Sequence, residues 1–287
     1  MRIKVAEMVI DIEMSDADFM AKRLTPYAVE DDVPAQMRLI TKTVDEIVLP
    51  DAEEIRTIQN AKIFRLSDGR YCHCQYSAFA KQYYQMSCYT EDFSDVEISV
   101  CPPAHAGLTA TDFEYAYSGF DFANRLSYIG GAVLHGSAIS YKGEGVIFSA
   151  PSGTGKSTHT TLWKQTFGED VVHVNDDKPA LRFENDTVWM YGAPWSGKTD
   201  LNVNVRVPLK AIVFVERSET NSMERLNFTE AMVRIRNEMM QPYHSEEIGV
   251  KLVDVMIRLA QTVPIYTIKC NMDPEAAIVA RRGIFGE

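Results

Sequence analysis

No stretch of the 287 residues stays apolar for the roughly 20 positions that a membrane-spanning helix needs. Positive charge is also scarce. Lys and Arg total 29 against 40 Asp and Glu, a formal net charge of -11. Nucleic acid is therefore not expected as the main partner, because phosphate backbones are met by basic surfaces. A local basic pocket for a nucleotide is compatible with an acidic whole. The five cysteines, Cys72, Cys74, Cys88, Cys101 and Cys270, are odd in number and have no recurring spacing, so they do not form a disulfide framework. Cys72-His73-Cys74 contains metal-ligand residue types, but on a strand His73 points away from the two cysteines, and no second C-x-x-C pair follows. The expectation is a reduced, cytoplasmic protein with thiols in its core. The start, MRIKVAEMVIDIEMSD, is broken by Glu7, Asp11 and Glu13. It reads as an edge strand rather than a secretory signal. Internal repeats and low-complexity tracts are lacking as well.

Hydrophobic residues make up 46% and charged residues 24% of the chain, ordinary for a globular protein. Residues 1–125 carry short alternating runs, IKVAEMVIDI, AKIFRLSDGRYCHCQYS and DVEISVCPP. These predict a smaller, antiparallel, strand-rich N-terminal domain with a hairpin turn at Asp68-Gly69. The stretch ATDFEYAYSGFDFANRLSYIGG predicts a helix leading into the second domain, residues 126–287. There GVIFSA (145–150), VVHVND (171–176), LKAIVFVE (209–216) and VPIYTIKC are buried strands. ALRF-ENDT-VWMY is a hairpin turning at Asn185-Asp186, and helices are expected over 158–167, 229–240, 246–261 and after Asp273-Pro274. Strands alternating with helices give an α/β domain on a central mixed sheet.

Two stretches compete as a phosphate-binding loop. GAPWSGKT (192–199) fits G-x-x-x-x-G-K-[ST] in full, whereas APSGTGKS (150–157) has Ala150 in place of the first glycine. Such a loop works through context. A buried strand delivers the chain to a turn of inward N–H groups, and a helix begins there with its dipole facing the anion. APSGTGKS follows GVIFSA and opens a helical pattern. The expected cradle is the N–H groups of Gly153, Thr154, Gly155, Lys156 and Ser157, with Ser152 and Thr158 adjoining. GAPWSGKT runs instead into DLNVNVRVP, an alternating pattern that predicts a strand. That makes it a candidate for the acceptor side, with Trp195, Lys198 and Arg206 as its residues. Arg206 and Arg217 flank the strand at 209–216, where either could meet charge on a transferring phosphoryl group.

The strand VVHVN ends in Asp176-Asp177, twenty residues past Lys156. Two adjacent acids can divide the work of holding Mg²⁺ and accepting a proton from an attacking hydroxyl. His135 lies ahead of the loop, while His159 and His173 read as structural. The succession LHGSAISYKGEGVIFSAPSGTGKST, then VNDDKPAL, resembles the HPr kinase/phosphorylase family. SGTGKST also resembles the nucleotide loop of phosphoenolpyruvate carboxykinases, which share that fold. The resemblance covers about residues 130–216, and VPLKAIVFVERSETNSMERLNFTEA looks like the HPr-kinase-related proteins. It implies a P-loop kinase domain of the HPr kinase/phosphoenolpyruvate carboxykinase type, with ATP and Mg²⁺ as cofactors. His135 would lie near the γ-phosphate, Lys156 on the β- and γ-phosphates, Ser157 on Mg²⁺ and Thr158 on the α/β side. Asp176 and Asp177 would serve metal and base in an order left open. Oligomerisation is also implied. The chain departs from the family at Ala150 and lacks a counterpart of the HPr kinase signature, where GAPWSGKTDLN stands, so the acceptor need not be HPr.

The leading expectation is an ATP-dependent kinase acting on a hydroxyl, such as serine of a peptide or small protein. The alternatives are a carboxykinase-like small-molecule phosphotransferase and a non-catalytic nucleotide-binding regulator.

Overall fold

The chain's first alternating run does not continue as one strand. Ala6 and Glu7 both take positive φ, 49° and 59°, as a two-residue hairpin turn requires. They fold the run into β1 (Arg2–Val5) and β2 (Met8–Glu13). Only β1 takes the edge, which corrects the single edge strand expected. The structure, a computed structural model, describes residues 1–30, 32–101, 108–240 and 245–286. It divides into two units, the first holding Met1–Tyr128 and the second beginning at Ile129. Among the described residues no helix is long and apolar enough to cross a bilayer.

In the first unit α1 (Ala17–Leu24) is capped by Asp16, whose side chain accepts from the Phe19 N–H at 2.9 Å. It precedes β3 (Met37–Thr43), which runs parallel to β2. The chain then meanders through β4 (Glu53–Ile58), β5 (Ala61–Arg65), β6 (Tyr71–Ser77), β7 (Gln82–Tyr89) and β8 (Asp95–Val100). The last of these returns beside β3, again in parallel. The order is β1-β2-β3-β8-β7-β6-β5-β4. The sheet is therefore mixed rather than purely antiparallel, because a period of two marks a strand's faces and not its neighbour's direction.

Helix α2 (Ala110–Tyr128) packs on β3 and β8. Its buried face includes the carboxylate of Glu114, which accepts from the Ser15 N–H at 3.0 Å, the Thr43 hydroxyl at 2.7 Å and the Thr41 hydroxyl. Without such donors a buried carboxylate costs several kcal/mol. Antiparallel pairing of β6 and β7 sets Cys72 opposite Cys88, and the two form a disulfide. This corrects the all-thiol expectation. The register that joins them is a tertiary property, invisible in a spacing of sixteen residues. Cys74, Cys101 and Cys270 stay free, and burial pushes the Cys74 thiol up to about 12.

The second unit is organised around one long strand. Its sheet contains β9 (Ala132–Val133), β10 (Ser137–Tyr141), β11 (Glu144–Ser149), β12 (Val171–Asn175), β13 (Ala180–Glu184), β14 (Thr187–Tyr191) and β15 (Arg206–Arg217). β16 (Ser222–Arg225) and β17 (Ile265–Cys270) complete it. The first residues of β15 pair antiparallel with β14, and the rest lie between β11 and β17, parallel to both. α3 (Lys156–Phe167) and α6 (Glu275–Phe285) pack on each other. They bury Leu162, Trp163, Ala276, Ala280 and Ile284 against Phe148, Val213 and Ile268. α4 (Phe228–Glu238) and α5 (Glu246–Thr262) form a second helical pair. α4 starts with a reciprocal capping box between Asn227 and Glu230, a device worth about 1 kcal/mol.

His159 sits in the core on α3, 2% exposed, where its Nε2 accepts from Trp163 Nε1 at 3.3 Å. Burial pushes its imidazole down to about 4 from 6.5. On acidification the unfolded chain takes up this proton first. The stabilisation present above about pH 6.5 is therefore lost as the pH falls toward about 4, by about 3 kcal/mol for a shift of that size. In denaturant titrations across that range, His159→Gln, which keeps an acceptor for Trp163, should unfold with a shallower pH dependence than the parent chain.

Candidate functional site

β11 is buried along nearly its whole length and ends at Ser149, from which residues 150–155 turn the chain into α3. Ala150 keeps a negative φ and its methyl joins the core cluster, so alanine stands there without strain. Gly155, at φ 122°, is the position that only glycine takes cheaply. It precedes α3 with no side-chain cap, which leaves the leading N–H groups of the helix available to an anion. The Thr154 N–H is turned onto the Pro151 carbonyl at 3.2 Å, so the expected row of inward donors is interrupted at that residue. Lys156 is 8% exposed and folds back on its own loop, with Nζ donating to Ala150 O at 2.7 Å. Burial draws its pKa down, and the carboxylates of Glu238, Asp177 and Asp176 oppose that shift.

β12 delivers the acids. The Asp176 carboxylate accepts from three hydroxyls: Ser137 Oγ at 2.6 Å on one oxygen, Ser157 Oγ at 3.0 Å and Thr199 Oγ1 at 2.9 Å on the other. Asp177 faces differently. One of its oxygens lies 3.5 Å from His135 Nε2 and the other pairs with Lys178. His135 Nδ1 lies 3.0 Å from Glu238 Oε2, at the end of α4, and the His135 N–H donates to the Glu238 carbonyl at 2.8 Å. The imidazole is thus held between two carboxylates.

The second glycine loop comes to the same place. Asn175 Oδ1 accepts from the Asp177 and Lys178 N–H groups, and its Nδ2 donates to the carbonyls of Ala193 (2.8 Å) and Trp195 (3.2 Å). One side chain therefore shapes the Asp turn and holds residues 192–199 against it. No helix follows Thr199. The chain runs extended beside β12, with the Asp176 N–H on Leu201 O and the Val203 N–H on Val174 O, both at 3.1 Å. The regular strand begins only at Arg206, later than the alternating pattern suggested. Gly197, at φ 70°, passes so close that a Cβ there would lie 3.0 Å from Asp177 Cβ.

These elements enclose a cleft of about 310 Å³. Of the residues expected from sequence, it brings together His135, Ser152, Gly153, Gly155, Lys156, Ser157, Thr158, Asp176, Asp177 and Lys198. Thr154 lines a neighbouring cavity instead. Trp195 is 1% exposed and does not line the cleft, so its expected place on the acceptor side is not met. Arg206 is also elsewhere. It pairs with Glu184 and stacks 3.9 Å over Trp189, where the antiparallel pairing of β14 and β15 sets it. Arg217 braces the glycine loop through the carbonyls of Gly153 and Thr154. The sequence reading missed Glu238, Ser137, Asn175 and Thr199. Thr199 had a local signal in its G-K-T motif. Glu238, 103 residues from His135, had none.

Residues 121–275, more than half of the chain, match the family described as SynChlorMet cassette protein ScmC. The chain belongs to the ScmC family. No curated protein matches it. Among solved structures, this ScmC-family chain is similar to the HPr(Ser) kinase/phosphatase from Coxiella burnetii, at 14% identity over 45% of this chain and 92% of that one. The TM-score is 0.26, and a likeness of that size fixes neither fold nor activity.

The nearer of the two carboxylates, Glu238 at 3.0 Å from Nδ1 against Asp177 at 3.5 Å from Nε2, sets which imidazole nitrogen carries the proton. In nitrogen-15 NMR of the imidazole groups, His135 should show a protonated Nδ1 in the parent chain. In Glu238→Ala it should show a shifted tautomer balance.

Proposed function

We propose that this ScmC-family chain is a phosphotransferase that binds ATP on residues 150–158 and passes the γ-phosphoryl group to a hydroxyl, such as serine of a peptide or small protein. The observation that carries the proposal is the single cleft in which the strand–loop–helix, the Asp176–Ser157 pair and the Asp177–His135 pair converge. The resemblance of LHGSAISYKGEGVIFSAPSGTGKST and VNDDKPAL to the HPr kinase and carboxykinase group supports the same assignment. It also supports the P-loop type for this half of the chain.

The donors around Asp176 are a carboxylate and hydroxyls, the hard oxygen set that suits Mg²⁺. Among the described residues no group of three or more His, Cys, Asp or Glu could hold a metal. An Mg²⁺ here would be bound by one or two carboxylates together with substrate phosphates. Ser157 and Asp176 would hold Mg²⁺, which when bound neutralises charge on the β- and γ-phosphate oxygens. The remaining roles belong to the chain itself. Lys156 exchanges the Ala150 carbonyl for phosphate oxygens, a substitution of a charged acceptor for a neutral one. The free N–H groups at the start of α3 hold the phosphate chain. Asp177 takes the proton of the acceptor hydroxyl, with His135 Nε2 beside it and Glu238 fixing the ring. Lys198, exposed on the opposite lip, meets the acceptor or the transferred group.

Incubation with labelled ATP, Mg²⁺ and candidate peptides, small proteins and metabolites tests the proposal. Lys156→Ala should lower transfer by roughly 10²-fold or more, the scale for removing one charge-stabilising donor. Unaltered transfer in that variant would sink the assignment. Lys198→Ala should retain nucleotide binding and lose transfer. Transfer to a metabolite alone would favour the carboxykinase-like alternative, and binding without turnover the regulator.

A further inference from the structure

Beside the cleft lies a second cavity of about 400 Å³, and residues Gly153, Gly155 and Thr158 line both. Its floor and walls are Leu162 of α3, Val215 of β15, and Cys270 with Met272 at the end of β17. It opens at the carboxyl ends of β15 and β17, next to the loop that leaves the carboxyl end of β11. These three strands are mutually parallel. In open α/β sheets this crevice is where ligands settle, and the volume is that of a small-molecule pocket. Resting on the phosphotransferase reading, we propose that this cavity takes the nucleoside of the triphosphate, and takes it by its apolar faces rather than by its hydrogen-bonding edge.

The second half of the proposal follows from how the polar groups in the wall are already used. Arg217 donates through Nε to Thr154 O and through Nη2 to Gly153 O, and its other N–H groups can only donate. The Asn271 amide donates to Glu219 O at 3.2 Å and Asp273 Oδ2 at 2.9 Å, and its oxygen accepts from the Asp273 N–H. The Asn271 N–H is bonded to Asn221 Oδ1, and the Ser218 N–H to Cys270 O. His159 spends Nε2 on Trp163 and turns Nδ1 toward the Cys270 sulfur. The side-chain groups left are those Arg217 N–H groups and the hydroxyls of Thr154, Thr158 and Ser218, the last already accepting from the Thr220 N–H at 3.3 Å. A hydroxyl rotates to donate or accept as required. It therefore meets the amino group of adenine and the oxo group of guanine alike. Strong discrimination needs a fixed donor or acceptor that the wrong base leaves unpaired, and the Arg217 N–H groups find an N7 acceptor on adenine and guanine alike. The apolar surface supplies affinity and the phosphates supply register, so both purine triphosphates are accepted.

Calorimetric titration of the full chain with ATP, GTP and inorganic tripolyphosphate, each with Mg²⁺, tests this. ATP and GTP should bind within about tenfold of each other, and tripolyphosphate about tenfold or more weaker than either. Ser218→Trp fills the cavity from a partly exposed position and should weaken both nucleotides by about tenfold while leaving tripolyphosphate unchanged. Should that variant fail to fold, Met272→Ala, at a position 76% exposed, should weaken the nucleotides severalfold and spare tripolyphosphate. Tripolyphosphate bound as tightly as the nucleotides would overturn the pocket assignment. So would substitutions that change nothing or weaken all three probes equally. A gap between ATP and GTP wider than tenfold would overturn the face-on mode of binding. If none of the three binds, the phosphate-binding reading itself is wrong.

Discussion

A carboxylate withdrawn from water costs several kcal/mol unless donors surround it, and Asp176, 8% exposed, answers with hydroxyls from three separate parts of the chain. Ser137 comes from β10, Ser157 from the first turn of α3, and Thr199 from the loop ahead of β15. The need to satisfy one buried anion thus draws together a strand, a helix start and a loop that are far apart in sequence. Both glycine loops are placed by it. Each brings a Gly-Lys-hydroxyl tripeptide, Gly155-Lys156-Ser157 and Gly197-Lys198-Thr199, and each hydroxyl bonds the same carboxylate oxygen.

Around that anchor the two aspartates are differentiated by what faces them. Asp176 accepts its hydrogen bonds from neutral hydroxyls, whereas Asp177 faces an imidazole and pairs with the Lys178 ammonium. An acid surrounded by oxygens suits a cation, and an acid beside a histidine suits proton transfer. The division depends on α4. Its capping box sets where the helix begins, and its length sets where Glu238 ends up. The backbone bond from the His135 N–H to the Glu238 carbonyl then locks that end beside the site. Chemistry at one side of the cleft is therefore tied to helix energetics a hundred residues downstream.

Much of the second unit was legible because its signals are local. GVIFSA, VVHVND and VPIYTIKC are apolar runs of strand length, and Asn185, at φ 53°, turns the hairpin where the letters place it. The tolerance of Ala150 is equally local. Its φ is not in the positive region that favours glycine, and its methyl joins the core. Other expectations failed where the letters carried no local signal or the deciding contact was distant. MRIKVAEMVIDI read as one strand because nothing in its letters announces positive φ at Ala6 and Glu7. Trp195 looked like a lip residue, yet its burial follows from Asn175 drawing its loop inward. The Cys72–Cys88 pairing depends on the register of β6 against β7.

By itself, the sequence determined the α/β character of the second unit, the strand-rich character of the first, and the order of loop and acids along the chain. Hydrophobic period, turn residues and the strand-to-helix switch at Gly155 act over a few residues and need no partner to be read. Only the tertiary structure decided that GAPWSGKT shares the cleft with APSGTGKS, that Glu238 reaches His135, and that Asp176 and Asp177 face different groups. Those facts come from hydrogen bonds made across separations of about 20 to 100 residues. Such bonds form where buried polar groups must find partners, and the chain's linear order does not say which partner each one finds.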